Sequence, residues 1–352
     1  MSSSARFLNP AEAASRLGVS AKALRLYEQR GLVAPARSAA GWRAYGPDEM
    51  ARAGEIVALR ALGLSLAQVA RVLGGSPDGL ERALAAHQAT LESQARQIAG
   101  TIDKVRGMRT GLAEGKAPDA GELARLVGPS AAPCIAFDLP WPWGGERFEL
   151  RDIRPLNYII GPLGSGKTRL ARRLAEALPD AAFLGLDRLA DGGAAARARL
   201  AADPALKSRV EQALAWLVDD GAATSDALLA LLAGLEQEGP AILVVDMVEQ
   251  GLDQASQQAL SAYLRHRGSD GRALFLMTRS SAILDLAAIG ANETIILCPA
   301  NHSPPCRVAP HPGAPGFEAV ATCLASPEVR ARTEGVIAWR PTALAGESRL
   351  GA

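Results

Sequence analysis

Apolar positions in the first 75 residues recur at helical spacing, in short runs closed by glycines. In PAEAASRLG (10–18), Ala11, Ala14 and Leu17 share a face, and Pro10 suits a first helical turn. Gly18-Val19-Ser20 forms a turn, and Ser20 caps a second helix, SAKALRLYEQRG, that stops at Gly31. Two short helices joined by a glycine-containing turn predict a helix-turn-helix. RSAAGWRAY (37–45) predicts a hairpin, and helices follow over 47–63 and 65–73, the latter capped by Ser65. Residues 78–115 contain no proline and read as one long helix. Seven-residue spacing gives it an apolar row of Leu84, Leu91, Ile98, Val105 and Leu112. The companion row, Leu80, His87, Gln94, Thr101 and Met108, is half polar, and His87 reads as a tolerated polar residue there. Such a seam predicts a coiled coil, with packing on its own domain as the alternative.

Beyond the long helix the pattern changes to continuous apolar runs. LNYII (156–160), AILVVD (241–246), ALFLMT (273–278) and ETIILC (293–298) read as buried strands. They alternate with helical stretches: TRLARRLAEAL, 206–218, 224–236 and 253–267. This predicts a parallel sheet wrapped by helices. The expected fold class is multidomain: an all-α winged helix-turn-helix with a long coiled-coil helix, then an α/β parallel sheet. The expected boundaries are 1–75 for the head, 76–115 for the dimerisation helix and 116–131 for a linker. The α/β unit would span 132–340, and a flexible tail 341–352.

Composition narrows the class. The chain has 352 residues, 35 Gly, 22 Pro and 48% hydrophobic residues, so it has room for two or three cores. These values exclude fibrous, disordered and disulfide-stapled classes. Four cysteines, no apolar run of membrane length and no apolar signal core in MSSSARFLNPAEAA point to a reducing cytoplasm. The net charge of +1 hides an asymmetry: residues 1–75 carry nine Arg plus Lys22 against five acidic groups. A basic end on a near-neutral chain fits a polyanion, and a solvated basic face equally.

Two stretches carry candidate chemistry. In the head, Ser20, Lys22, Arg25, Tyr27 and Arg30 are suited to phosphates and base edges, and Arg37, Arg43 and Tyr45 to backbone contact from the hairpin. After the strand 156–160 comes GPLGSGKT (161–168), which has the pattern G-x-x-x-x-G-K-[ST] between a strand and a helix. Gly161, Gly164 and Gly166 let backbone N–H groups, with that of Ser165, converge on phosphate oxygens. Lys167 would neutralise the β- and γ-phosphates, and the Thr168 hydroxyl would reach Mg²⁺. Asp246, ending an apolar strand, is suited to the same ion. The expected cofactors are ATP and Mg²⁺.

The head resembles the MerR family of bacterial transcription regulators. The resemblance rests on Ala14 through Val19, LRLYE (24–28), GLVAPAR (31–37), GWRAYG (41–46) and LGLSLAQVARVL (62–73). Leu26 stands where members usually carry an aromatic. The resemblance implies a homodimer paired antiparallel through the long helix. It also implies double-stranded promoter DNA as partner, distorted so that RNA polymerase engages both promoter elements. The C-terminal half resembles the ABC/SMC-like branch of P-loop ATPases, on FELRDIRPLNYIIGPLGSGKT (148–168) and DMVEQGLD (246–253). It departs from that branch in having Met247 where a catalytic Glu is usual and Arg279 where a switch His is usual. It also lacks a signature motif in 220–240. Met247 cannot orient or deprotonate water, so ATP binding with slow or absent hydrolysis is expected. Glu249 is the candidate substitute. Arg279 is read either as a γ-phosphate contact or as a surface residue at a strand end.

Other candidates are weaker. Cys298, His302, Cys306 and His311 are good soft-metal ligands at an irregular spacing, so a zinc site and an ordinary loop both remain open. Cys134 reads as a buried thiol. Trp141 and Trp143 could stack on an adenine or an effector, or close the sheet edge. The leading reading is an ATP-modulated, homodimeric transcription regulator. The alternatives are an active ATPase or phosphotransferase that autoregulates through its head, and a metal- or thiol-responsive regulator whose loop is structural.

Overall fold

The computed structural model describes residues 7–38, 41–76, 79–116, 135–267 and 272–331. Most of the expected linker 116–131, Cys134 and the expected tail 341–352 lie outside the described residues.

The head begins with α1 (Pro10–Leu17), closed at its N-terminus by a capping box in which Asn9 accepts from Glu12 N and Glu12 returns to Asn9 N. Gly18, at φ 67°, ends it in the left-handed conformation. Helix α2 (Ala21–Gln29) follows, with Ser20 Oγ accepting from Ala23 N at 3.1 Å. Strands β1 (Ala36–Arg37) and β2 (Arg43–Ala44) pair antiparallel as a small wing. Helices α3 (Pro47–Ala61) and α4 (Leu66–Leu73) complete the head. Leu24, Tyr27, Tyr45, Ala53, Ile56, Leu64, Leu66 and Val69 form its core. The long helix α5 (Leu80–Ala113) then leaves the head. Leu84, Leu91, Ile98, Val105 and Leu112 are all exposed along it.

The second unit opens with an antiparallel pair, β3 (Ile135–Asp138) and β4 (Arg147–Leu150). Strand β5 (Leu156–Ile160) leads into the loop 161–166 and then α6 (Lys167–Ala177). There follow β6 (Ala181–Leu184), α7 (Ala194–Ala202), α8 (Pro204–Asp219) and α9 (Asp226–Leu235). Next come β7 (Ile242–Val245), α10 (Gln254–His266), β8 (Ala273–Met277) and β9 (Glu293–Leu297). Strand β10 (Cys306–Val308) and helices α11 (Phe317–Cys323) and α12 (Pro327–Ala331) close the described chain.

The main sheet runs β10-β9-β5-β8-β7-β6. Five strands are parallel, but β10 joins β9 antiparallel, so the sheet is mixed and not wholly parallel as the sequence predicts. The Pro304-Pro305 pair ahead of β10 turns the chain back without room for a crossover helix. The sheet has a core on each face. One packs α6 and the β3–β4 pair through Phe137, Phe148, Leu170 and Leu174. The other packs α8, α9 and α10 through Leu217, Leu231 and Leu260. The carboxyl ends of β5, β7 and β8 therefore gather loop 161–166, Asp246 and Arg279 along one edge, where open α/β sheets receive ligands. Among the described residues no helix is long and apolar enough to cross a membrane.

Candidate functional site

Two surfaces carry the sequence candidates. On the head, Ser20 spends its hydroxyl as the α2 cap. Tyr27 and Tyr45 are 6% and 0% exposed and belong to the head's core, so they are not placed to reach a duplex directly. Tyr27 lies three residues from Leu24, which puts both on the inner face of α2. At 100° per residue, the side opposite that face carries Lys22, Arg25, Leu26 and Gln29. Arg25 and Gln29 are exposed. Arg37 donates to Glu28 Oε1 at 3.2 Å, and Arg43 pairs with Glu28 Oε2. One carboxylate on α2 thus holds both strands of the wing, whose tip exposes Trp42.

Lys22 and Arg30 are engaged by the α/β unit. Lys22 Nζ donates to Ser281 O at 3.3 Å, and Arg30 Nη2 to Asp220 O at 3.0 Å. Asp220 is the centre of this seam. Its side chain is 2% exposed and accepts from Arg60 Nη1 at 2.7 Å, Arg60 Nη2 at 3.2 Å and Leu66 N at 2.7 Å. Trp216 Nε1 donates to Gly63 O at 3.1 Å, with the Arg60 guanidinium 5.4 Å from the indole ring. Two glycines allow the close approach. A Cβ on Gly63 would fall 1.8 Å from His266 Cε1, and one on Gly221 would fall 1.6 Å from Arg30 Nη2. Sequence reasoning missed Asp220 and Trp216, because their partners lie more than 150 residues away and no local pattern marks them.

The second surface is the loop 161–168. Gly164 and Gly166 have φ of 80° and 89°. A Cβ on Gly161 would meet Cys298 O at 2.4 Å, and one on Gly166 would meet Trp143 Cη2 at 2.6 Å. Ser165 is buried and Thr168 exposed. Lys167 Nζ lies back on the loop, donating to Gly161 O at 2.7 Å and Pro162 O at 2.6 Å. Burial pulls its pKa down. Across the edge, burial pushes the Asp246 carboxyl up, and its Oδ1 has no partner among the described residues. Arg188 holds this strand end, donating to Asp246 O and Met247 O at 2.9 Å each. Met247 has a φ of 43°, a left-handed conformation that costs a non-glycine residue about 1–3 kcal/mol. Glu249 is 2% exposed, and its Oε1 accepts from Arg279 N at 3.0 Å. Arg279 Nε is buried without a partner among the described residues, and its positive charge reaches Lys167.

The two tryptophans diverge. Trp143 is buried and donates Nε1 to Ser303 O at 3.0 Å. Trp141 is 69% exposed, with the Arg169 guanidinium 4.4 Å from its ring, beside the start of α6. Cys298 lies buried beneath the loop, its thiol pushed up to about 12 by burial. Cys306 sits on β10, and His302 and His311 are exposed. Among the described residues, no group of three or more His, Cys, Asp or Glu side chains is placed to hold a metal ion.

The sequence profile of the family described as "MerR HTH family regulatory protein" matches residues 8–75. A "probable heavy metal-dependent transcriptional regulator" from Haemophilus influenzae is 36% identical over 107 residues, which is 28% of this chain and 83% of the relative. The crystal structure of the HTH-type transcriptional regulator SkgA from Caulobacter crescentus is 28% identical, with a TM-score of 0.23, over 35% of this chain and 88% of that one. A bacterial Atm1-family ABC exporter with ATP bound is 17% identical, with a TM-score of 0.36, over 55% of this chain and 44% of that one.

Proposed function

Because this chain belongs to the MerR helix-turn-helix family and is therefore a DNA-binding transcriptional regulator, we propose that it acts as a homodimer on promoter DNA and that ATP bound to its α/β unit modulates that action. The observation that carries the modulation is the segment after β8. The charge of Arg279 is felt at Lys167, and Ser281, two residues on, accepts from Lys22 of the reading helix.

The residues of loop 161–168 fit a nucleoside triphosphate with Mg²⁺. Gly164 and Gly166 hold positive φ that keeps the loop tight, Gly161 and Gly166 pack too closely on Cys298 and Trp143 for a side chain, and Lys167 has loop carbonyls and the Ser165 hydroxyl to leave. Thr168 and the unpartnered Asp246 Oδ1 are the groups for the ion, and Trp141 offers an exposed face to a purine. Bound nucleotide supplies a concentrated negative charge at the start of α6. Lys167 and Arg279 would both turn toward that charge, and the 279–281 backbone would carry the change to Lys22. Turnover is slow in this reading, because Met247 offers no proton acceptor and Glu249 is committed to Arg279 N.

The docked arrangement is the low-affinity state. Lys22 and Leu26 stand on the side of α2 opposite the head's core, the side a second helix presents to a major groove. The α/β unit engages Lys22 and faces Leu26 across the seam while Arg25 and Gln29 of the same side stay exposed, so α2 can offer its whole face to a duplex only after the head leaves the seam. The exposed apolar row of α5 is the surface for the second protomer, and two heads would then read two half-sites.

The test is a titration of a duplex recovered from a randomised pool, with ATP, a non-hydrolysable analogue or ADP present. The analogue should match ATP, and ADP should not. If all three leave duplex affinity unchanged, the α/β unit is not a nucleotide-responsive sensor.

A further inference from the structure

The seam between the head and the α/β unit is not filled. It holds a half-open cleft of about 820 Å³, within the size range of small-molecule sites. Leu26 and Val57 of the head form one wall, and Trp216 and Tyr263 of the α/β unit form the other. The two aromatic rings lie against each other at 5.5 Å between centroids. Such a cleft accepts a flat ring system between an aliphatic and an aromatic side.

The charges of the lining favour one sign of ligand. Three arginines line the cavity, and each is matched by a carboxylate: Arg60 by Asp220, Arg265 by Glu293 and Arg267 by Glu236. Lys22 is different. Its ammonium donates to one backbone carbonyl, Ser281 O, and the carboxylate whose charge it feels, Asp285, is already accepting from Ala287 N. Burial disfavours the charged form of Lys22, so a ligand anion here would replace solvation that the cation has lost. An anionic occupant would thus pair with the one lysine of the reading helix.

We propose that this seam is a binding site for an aromatic anion, a planar ring system bearing one carboxylate or sulfonate. The site is separate from loop 161–168. The proposal rests on the docked arrangement being the low-affinity state and on no property of the nucleotide. An occupant touching Lys22 and Leu26 on one side and Trp216 and Tyr263 on the other exists only while the head is docked. By linkage it stabilises docking and weakens DNA binding.

The probe is anilinonaphthalene sulfonate, followed by its fluorescence on the full-length chain, with thioflavin T as a planar cation of similar size. One saturable site per chain is expected for the sulfonate, at least tenfold tighter than for thioflavin T. Lys22→Ala should weaken it at least tenfold, and Asp285→Asn should tighten it. Ala262→Trp, which fills the cavity from α10, should remove saturable binding. The sulfonate should raise the Kd for the selected duplex at least fivefold in the parent chain and leave it unchanged in Ala262→Trp. Equal binding to the parent, Lys22→Ala and Ala262→Trp would overturn the proposal. So would preference for the cation, or binding that leaves duplex affinity untouched. These readings need no nucleotide, so a duplex affinity that answers the sulfonate and ignores ATP would end the nucleotide role alone.

Discussion

Replacing Asp220 by Ala should release the head from the α/β unit and tighten DNA binding. The carboxylate is buried, and its three bonds all go to the head: two from Arg60 and one from Leu66 N. Removing one partner of such a buried pair costs about 3–5 kcal/mol, because Arg60 and the Leu66 amide keep their desolvation without the bonds. Relatives of this kind of switch carry coupling energies of about 1–3 kcal/mol. A docking preference of roughly 2 kcal/mol leaves about 3% of heads free, and apparent affinity scales with that fraction. The loss at Asp220 exceeds the preference, so essentially all heads come free and the Kd for duplex falls roughly 30-fold. Fluorescence anisotropy with a labelled duplex at one fixed ionic strength measures this, since phosphate contacts make every such Kd depend on salt. Asp220→Asn keeps an acceptor and should fall between the two. Unchanged or weaker DNA binding by a folded Asp220→Ala protein would refute the docked-and-closed reasoning.

Three further outcomes follow from the same structure. Lys167→Ala should weaken binding of a fluorescent ATP analogue roughly 10- to 150-fold, the loss of one charge-assisted contact of about 1.5–3 kcal/mol, and equal binding would move the nucleotide elsewhere. Leu91→Glu with Ile98→Glu should convert the proposed dimer to monomer in sedimentation velocity, because each apolar side chain removed from an interface forfeits about 1.5–3 kcal/mol of burial; a persistent dimer would place the pairing surface off α5. The Cys298 thiol, held up at about 12, stays protonated from neutral pH to pH 9, the thiolate appearing only as pH rises toward that value. Peptide mapping after native iodoacetamide treatment at pH 8 should therefore find Cys306 modified and Cys298 spared, and parity between them would contradict the burial.

The head was the most legible part of the chain, because its signals are local. Ser20 three residues before Ala23, Gly18 after Leu17 and Pro47 at the start of α3 set the observed helix ends to within two residues. The strand–loop–helix around Gly161 was legible for the same reason. Tyr27 and Tyr45 were misleading: they stand among arginines in the sequence, yet their rings fill the head's core. Helical spacing from Leu24 was the signal that could have placed Tyr27 inside. Strand β6 and helix α7 were hidden by alanine-rich segments with no strong period. The antiparallel β10 was hidden within a proline-broken stretch that reads as loop. The seam was invisible, since Asp220 in a sequence is an ordinary acid after a helix, and only the folded chain brings Arg60 to it.

Gly63 and Gly221 give that seam a minimal code. Each sits in one half of the molecule, and a single methyl on either would intrude on a side-chain tip of the other half, His266 or Arg30. Both glycines also hold positive φ, where a side chain is strained whatever the space, so an added carbon would crowd the facing tip and disfavour its own turn at once. A sister protein that carries bulkier residues at both places cannot share this closed posture, whatever the likeness of its two ends. The pair therefore works as a two-letter marker for sorting fused regulators into those that fold back on themselves and those that stay open.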